Sequence, residues 1–403
     1  MKSMRAGIIV DNEFINDIRV RREASILKAE GYEVYVLCLG FGNDYDQPEG
    51  INVTRINISR RYKDALFFFM NTLPVYEIMW ARETCSFILK NDLSILHVHD
   101  LYMSKAAFSG IRTSGKKIPM ILDLHENYPF QVTTYNWTKG FLRNMLSRPA
   151  SWKKKELEYL GYADRVVVLS SEYRDSLIRE YPLLAPDRFV VFPNVPDINA
   201  PEYTNKTRVE NPFRNDFPIL LYYGVIAERR GVFETLEVFH ELIKNRYEVN
   251  LLLIGPVDKK DREYFTGLAS LDELKGNLVH IPWISSKDFP GYLEISDICL
   301  APFRKNPQHE SGIANKIYDY MLGGKPLVVS DCRPQKNLVE KYSCGLVFAD
   351  SIGLYDAIVT LLNDDQLRRS MGRNGQNAIR GFYNIDTFKE MLIAAYRQIT
   401  SKA

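Results

Sequence analysis

Cysteine is scarce in this chain and shows no pattern. Cys38, Cys85, Cys299, Cys332 and Cys344 lie far apart with no CxxC pair, which excludes a zinc ribbon or a disulfide scaffold and suits a reducing compartment. Long apolar runs are lacking too. The opening "MKSMRAGIIVDN" holds one short run before Asp11, too short for a secretion signal, and no later stretch approaches membrane-spanning length. Nor is there an excess of charge of one sign: 52 Lys and Arg against 50 Asp and Glu leave +2, which forecasts no nucleic-acid partner. Low-complexity tracts are missing, and 46% hydrophobic residues is the composition of an ordinary globular chain. The expected location is the cytoplasm.

What is present is length and alternation. The 403 residues suffice for two domains, each with its own core. Short apolar runs ("AGIIV", "YEVYVLCLG", "LSILHVHD", "PMILDLHE", "DRVVVLSS", "RFVVFPN") alternate with segments of helical period. Continuous apolar strands of this kind belong in a parallel sheet covered on both faces, so the fold class is α/β, doubly wound. The first helix is expected to stop at Gly31, with Ala24, Ile26, Leu27 and Ala29 on its inner side. The pattern breaks in a polar, proline-containing stretch and resumes with "ILLYYGVI", "VNLLLIGPV", "LVHIPWI", "ISDICLAPF", "PLVVSD", "CGLVFA" and two closing helical segments. The expected division is a domain at 1–197, a linker at 198–216, a second domain at 217–384, and a C-terminal helix at 385–403 packing back on the first. Ligands are expected in a cleft at the carboxyl edges of the two sheets.

The stretch "HESGIANKIYDYMLGGKP", His309 to Pro326, places Lys316 in the first turn of a helix, where the dipole disfavours a cation. Gly312 allows close approach of a ligand, and the amides of Ile313, Ala314 and Asn315 would point out of the helix N-terminus, an anion site. A bound diphosphate would account for the lysine. Asp319, one turn on, could accept from the vicinal hydroxyls of a ribose. The competing reading makes Lys316 and Asp319 a surface ion pair, with Ile317, Tyr320 and Met321 as the core face. In "YYGVIAERRGVFETLEVF", Gly224 ends a strand, and Arg229 and Arg230 precede Gly231 and a helix, a placement suited to phosphate.

These residues carry a family resemblance. The run from Asn315 to Met321, followed by Gly324-Lys325-Pro326-Leu327-Val328-Val329, resembles the donor-site signature of the retaining GT-B glycosyltransferases of family 4, or group 1. Pieces along nearly the whole chain fall in that family's order. The resemblance implies two Rossmann-like domains, a nucleoside diphosphate sugar held mainly by the second, an acceptor held mainly by the first, and neither cofactor nor metal at the chemical step. By position, Asp319 matches the second acid of the family's E-x7-E element, whereas the first falls on Ser311, with Glu310 adjacent and able to swing in toward the sugar. Val225 stands where an arginine commonly follows the strand glycine, which leaves the diphosphate to Arg229, Arg230 and Lys316. Trp283 and Ile284 match the base-binding loop, though Trp283 also reads as a half-buried aromatic.

"ILHVHD" and "ILDLHENYP" bring His97, His99, Asp100, His125 and Glu126 to strand ends. The HxHD spacing suits a divalent-ion site, but the remaining histidines, His240, His280 and His309, all lie in the second half, so no metal is expected. His97 reads as a hydrogen-bonded core residue. His125 matches the histidine that the family places beside the donor sugar, where it would hydrogen-bond a sugar hydroxyl. Asp11, Asn12, His99 and Asp100 are acceptor-side candidates. "RRYKDALFFFMNTLPVYEIMW" and "YNWTKGFLRNMLSRPASWKKKELEYL" mix basic and aromatic residues in the manner of an interfacial surface. The expected activity is retaining transfer from a nucleotide sugar to a glycan or lipid-linked acceptor in cell-surface polysaccharide or glycoconjugate biosynthesis, with the protein cytoplasmic and peripheral on an anionic inner membrane face. A nucleotide-sugar epimerase on the same architecture and a non-catalytic nucleotide-sugar-binding protein are the alternatives.

Overall fold

The computed structural model describes residues 4–42, 48–200, 203 and 207–400. Residues 201, 202 and 204–206 of the expected linker lie outside the described residues, as do 1–3, 43–47 and 401–403. Two compact units form: residues 1–193 with 388–403, and residues 194–387.

The first unit is built on a seven-stranded sheet of order β3-β2-β1-β4-β5-β6-β7. Its strands are β1 (Arg5–Ile9), β2 (Glu33–Gly40), β3 (Ile51–Asn57), β4 (Ile95–His99), β5 (Met120–Asp123), β6 (Arg165–Val168) and β7 (Phe189–Val191). All pairings are parallel. β1, β4, β5 and β6 are buried along almost their whole length, which is why they read as unbroken apolar runs. Ile9, Leu37, Leu96, Val98, Leu122 and Val166 form the core with Trp80, Phe87, Trp152 and Tyr159. Strand order reverses at β1, whose neighbours are β2 and β4, so its carboxyl end and that of β4 frame the crevice where a doubly wound sheet takes ligands.

The Ile18–Ala29 helix is capped by Asp17, which accepts from the amide of Val20. Its buried face holds Ala24, Ile26 and Leu27, as the periodicity suggested, together with Val20, whereas Ala29 is exposed. The same face also buries Arg19 and Glu23, a charged pair that by type alone reads as solvent-facing.

The second unit repeats the plan with six strands in the order β10-β9-β8-β11-β12-β13, again all parallel. They are β8 (Ile219–Tyr223), β9 (Asn250–Ile254), β10 (Leu278–Ile281), β11 (Ile298–Ala301), β12 (Leu327–Ser330) and β13 (Gly345–Phe348). The reversal falls at β8, between β9 and β11. Three helices close the chain rather than two, because a break at Asp364 separates Ser351–Asn363 from Asp365–Gly381 before the final Ile385–Thr400 helix. The Asp364 carboxylate accepts from the amide of Leu367, so this residue caps a new helix instead of continuing the old one. No helix among the described residues is long and apolar enough to cross a membrane.

Candidate functional site

At the switch point of the second unit the chain leaves β8 through Gly224 and β11 through Phe303. Gly224 has φ +133°, and a Cβ there would stand 3.6 Å from the Lys316 ammonium. Gly231 (φ +71°) packs so tightly that a Cβ would come within 1.7 Å of the Pro302 carbonyl oxygen, so the β11 exit loop lies directly against the turn that carries Arg230. The Asn315–Leu322 helix starts from Ala314, whose extended backbone is that of a cap but whose methyl group offers no acceptor. Among the described residues the amides of Gly312, Ile313 and Ala314 find no acceptor either.

Lys316 is the second residue of this helix and is only 8% exposed. Its ammonium lies 3.6 Å from the centroid of the Tyr222 ring and 4.7 Å from that of Phe303, and it forms no ion pair among the described residues. Burial and then the charge of Arg230 push its pKa well below the ordinary lysine value. Arg230 also lies over Phe303, 5.3 Å from its centroid, with its Nε buried and without a hydrogen-bond partner among the described residues. A buried lysine, a half-buried arginine and an uncapped helix N-terminus thus converge on one point, and each repels the others' charge. An anion placed there would relieve all three at once.

The other sequence candidates are distributed around this point. Asp319 accepts a 2.6 Å hydrogen bond from the Tyr203 hydroxyl, which fixes the carboxylate, so the surface pairing with Lys316 does not form. Arg229, expected at the diphosphate, is exposed and pairs with Asp258 at 2.9 Å, whereas Arg230 and Lys316 both lie over Phe303. Ser311 is buried and donates to the Pro307 carbonyl at 2.6 Å, inside a turn that also ties the amide of Glu310 to Asn306. Glu310 accepts from the backbone amide and guanidinium of Arg333, at 3.0 and 2.5 Å, which docks it on the start of the Arg333–Tyr342 helix. Trp283 follows β10 and is 77% exposed, not half-buried, while Ile284 beside it is half-buried. Phe303, Tyr222, Tyr203 and His309 were missed. The His309 ring packs tilted against Phe303, centroids 4.7 Å apart, and is bonded through Nδ1 to the Arg304 carbonyl at 2.6 Å; burial holds its pKa down at about 4. The signal for Phe303 was its place one residue past Pro302 at the end of β11, the strand next to β8.

In the first unit, Asp11, Asp100, His125 and Glu126 gather at the carboxyl ends of β1, β4 and β5. Asp11 is buried, accepts from the Tyr76 hydroxyl and lies 3.6 Å from Lys63; burial raises its pKa to about 6. Asn12 beside it is exposed. Asp100 sits at φ +72°, a strained conformation for a residue with a side chain, and one carboxylate oxygen is 3.9 Å from Nδ1 of His125. Burial raises the Glu126 carboxyl to about 7 against the hydrogen bond it accepts from Tyr135.

His99 requires correction as an acceptor contact, because it is completely buried. Its Nδ1 lies 2.8 Å from Nε2 of His125, so it touches the half-buried histidine from behind. His97 is the core residue expected: its Nδ1 meets the Tyr396 hydroxyl at 2.8 Å, and burial lowers its pKa to about 4. Glu23, His97, His99 and Asp123 offer donor atoms within 4.8 Å of one another, a set chemically able to hold a cation. A cation is already there. Arg19 reaches both oxygens of Asp123 at 2.8 to 3.0 Å and Glu23 at 3.1 Å. Burial and then the neighbouring Asp123 push the Glu23 carboxyl well above its ordinary value, against the pull of the Arg19 guanidinium.

Comparison with known proteins decides the family. The model of "Glycosyltransferase Family 4" matches residues 18–199, and that of "Glycosyl transferases group 1" matches residues 204–378. This chain belongs to the family 4, group 1 glycosyltransferases. The glycosyltransferase is 24% identical over 333 residues to an alpha-D-kanosaminyltransferase of Streptomyces kanamyceticus, covering 79% of this chain and 83% of the relative. Over 184 residues it is 22% identical to a capsular polysaccharide biosynthesis glycosyltransferase of Staphylococcus aureus, covering 45% of this chain and 46% of the relative. Its fold is similar to that of a sucrose-phosphate synthase from Thermosynechococcus elongatus, with TM-score 0.73, 18% identity, and coverage of 99% and 100% of the two chains. The architecture is GT-B. These matches lend no support to the epimerase alternative.

Proposed function

We propose that this glycosyltransferase binds a nucleoside diphosphate sugar in its second unit and transfers the sugar, with retention, to a glycan or lipid-linked acceptor in cell-surface polysaccharide or glycoconjugate biosynthesis. The observation that carries the reading is Lys316, a buried ammonium without a counter-ion among the described residues, beside Gly224 and an uncapped helix N-terminus. Diphosphate supplies the missing charge, Arg230 shares it, and the amides of Gly312 to Ala314 donate to its oxygens. Asp319, oriented by Tyr203, accepts from the ribose hydroxyls. Trp283 and Ile284 flank the base. Glu310, held by Arg333, reaches the sugar only by leaving that partner.

In the reaction, the bond from the anomeric carbon to the diphosphate oxygen breaks while the bond to the acceptor oxygen forms on the same face. The departing phosphate oxygen takes the acceptor proton. His125 hydrogen-bonds a sugar hydroxyl and is positioned by His99. Lys316 and Arg230 neutralise the leaving group, and no metal or cofactor enters the scheme. The capsular relative supports a polysaccharide setting, and the protein works in the cytoplasm, peripheral to an anionic membrane face.

The test is a thermal-shift panel over UDP, GDP, ADP and their sugar conjugates. A ligand present at about 100 times its Kd stabilises the fold by about 2.7 kcal/mol. One nucleotide class should raise the melting point, Asp319→Ala should abolish that shift, and His125→Ala should keep the shift while lowering turnover. Turnover should also survive a chelator. If no nucleotide moves the melting point, the donor site is wrong.

A further inference from the structure

Behind His125 the first unit buries a row of ionisable side chains that the transfer scheme leaves without a task. His97 and His99 leave β4 on the same side, their rings stacked 4.6 Å apart at 21°, and both are completely buried. The outer end of the row is His125, whose Nε2 lies 2.8 Å from His99 Nδ1. The inner end is Tyr396, whose hydroxyl lies 2.8 Å from His97 Nδ1. Where two neutral imidazoles share a hydrogen bond, one nitrogen carries the proton and the other accepts. Which of the two it is decides whether the far nitrogen of His125 faces outward as a donor or as an acceptor.

The carboxyl groups around the rings choose between them. Asp100 Oδ1 stands 3.9 Å from His125 Nδ1, and Asp123 Oδ2 stands 3.9 Å from His99 Nδ1. Arg19 engages both oxygens of Asp123 at 2.8 to 3.0 Å, the pattern of an ionised acid. A carboxylate beside a ring nitrogen favours a proton on that nitrogen, so both rings carry theirs on Nδ1. His99 then donates to His125, and its own Nε2 is left bare. That atom is buried and has no hydrogen-bond partner among the described residues, and Glu23 Oε2 stands 3.6 Å away. A bare buried nitrogen needs a donor, and a carboxyl group is one only in its acid form. Burial and then Asp123 favour that form of Glu23, against the pull of Arg19. Nε2 of His97 lies 3.7 Å from the same Glu23 oxygen and 3.9 Å from Asp123, so its proton faces the acids while its Nδ1 accepts from Tyr396. We propose that Glu23 and His99 are positioning residues for the transfer: Glu23, as the neutral acid, donates to His99 Nε2, and His99 donates to His125 Nε2, so that His125 presents Nδ1–H outward as a hydrogen-bond donor and not as a base.

The proposal rests on the reading of His125 as the residue that meets the donor sugar, and the two are measured separately. The chain has six histidines, few enough for NMR to resolve the ring nitrogens of the full chain with isotopically labelled histidine, and His125→Ala identifies the signal. In the wild type His125 should carry its proton on Nδ1, with Nε2 bare. Glu23→Met and His99→Phe should each disturb that tautomer and lower kcat about 3- to 10-fold, the worth of one hydrogen bond, while KM for the nucleotide sugar and the nucleotide-induced thermal shift stay as they are. Turnover is read as nucleoside diphosphate released from the sugar conjugate that raises the melting point. Glu23→Gln keeps a neutral donor beside His99, so it should recover the tautomer and most of the turnover, and with the wild-type spectrum it decides the matter even if the larger changes do not fold. A wild-type His125 protonated on Nε2, or a Glu23→Gln protein that loses the Nδ1–H form, overturns the proposal and leaves the donor-sugar reading standing. A tautomer and kcat unchanged in Glu23→Met overturn it as well. If the tautomer is as expected but His125→Ala turns over like wild type, the reading of His125 fails and the positioning role falls with it.

Discussion

At the scale of the residue, Lys316 concentrates the chemistry of the donor side. A buried cation with no partner destabilises the fold that contains it, and here Arg230 and the helix N-terminus add to the cost. Replacing it should therefore help the empty protein and harm the bound one. Lys316→Met is expected to raise the melting temperature without ligand and to weaken nucleotide binding by about 10- to 100-fold, the range of a lost hydrogen bond to a charged group. The pH dependence follows from the direction of the shift. The folded pKa lies below 10.5, so between the two values the unfolded chain holds the extra proton and wild-type stability rises with pH across that window. The variant should lose that slope in denaturant titrations run from neutral to alkaline pH; an unchanged slope would show that Lys316 is not the buried cation responsible. This residue was legible in the sequence because a lysine in a first helical turn is locally out of place. Glu310 was not. Its role depends on Arg333, 23 residues away, and on a turn between Asn306 and Ser311 that spacing alone does not reveal. His99 was misplaced for a related reason: strand alternation says which side a residue faces, but not that the Ile18–Ala29 helix will bury charged side chains over it.

At the scale of the element, the Asn315–Leu322 helix differs from its neighbours at its start. Asp17, Ser59, Ser170, Asp350 and Asp364 each cap a helix with a side-chain oxygen, but Ala314 has none to offer. Its backbone is nevertheless extended, at φ −65° and ψ 136°, so a capping side chain is conformationally admissible there. Ala314→Asp should place a carboxylate where the phosphate is proposed to bind. The expected result is an empty protein more stable by about 1 kcal/mol, the usual worth of a cap, with weakened nucleotide affinity. Calorimetry of the two proteins with the same nucleotide checks both halves, and unaltered affinity would move the phosphate away from this helix. The strands were the most legible elements because a sheet buried on both faces tolerates little but apolar residues, as β4, β5, β11 and β12 show. Helix ends were less so. The stop at Asp364 lies inside one continuous helical period, and only the turn made there, with Asp364 capping the next helix, separates the two.

At the scale of the whole chain, the last segment belongs to the unit that the chain left two hundred residues earlier. Residues 388–403 group with residues 1–193, although the chain enters them from the second unit. The attachment is specific as well as apolar. Leu392, Ile393 and Tyr396 are buried, Tyr396 stacks edge-on against Tyr32, and Arg397 pairs with Glu30 at 2.8 Å. The Tyr396 hydroxyl is also the hydrogen-bond partner of His97 Nδ1, beneath the Arg19, Glu23 and Asp123 cluster. Removing it leaves a buried ring nitrogen unsatisfied, so Tyr396→Phe should cost about 1 to 3 kcal/mol. Truncation before Ile385 removes the whole cover and should do more, and it should act at a distance in sequence. Hydrogen exchange is expected to quicken in β1 and β4 of the truncated protein, while β8 and β9, much nearer the cut along the chain, keep their protection. Equal loss in both sheets would mean that the closing helix supports both units and not the first alone. Retention of the nucleotide-induced thermal shift by the truncated protein would separate donor binding, which the second unit performs by itself in this scheme, from the integrity of the unit that carries His125.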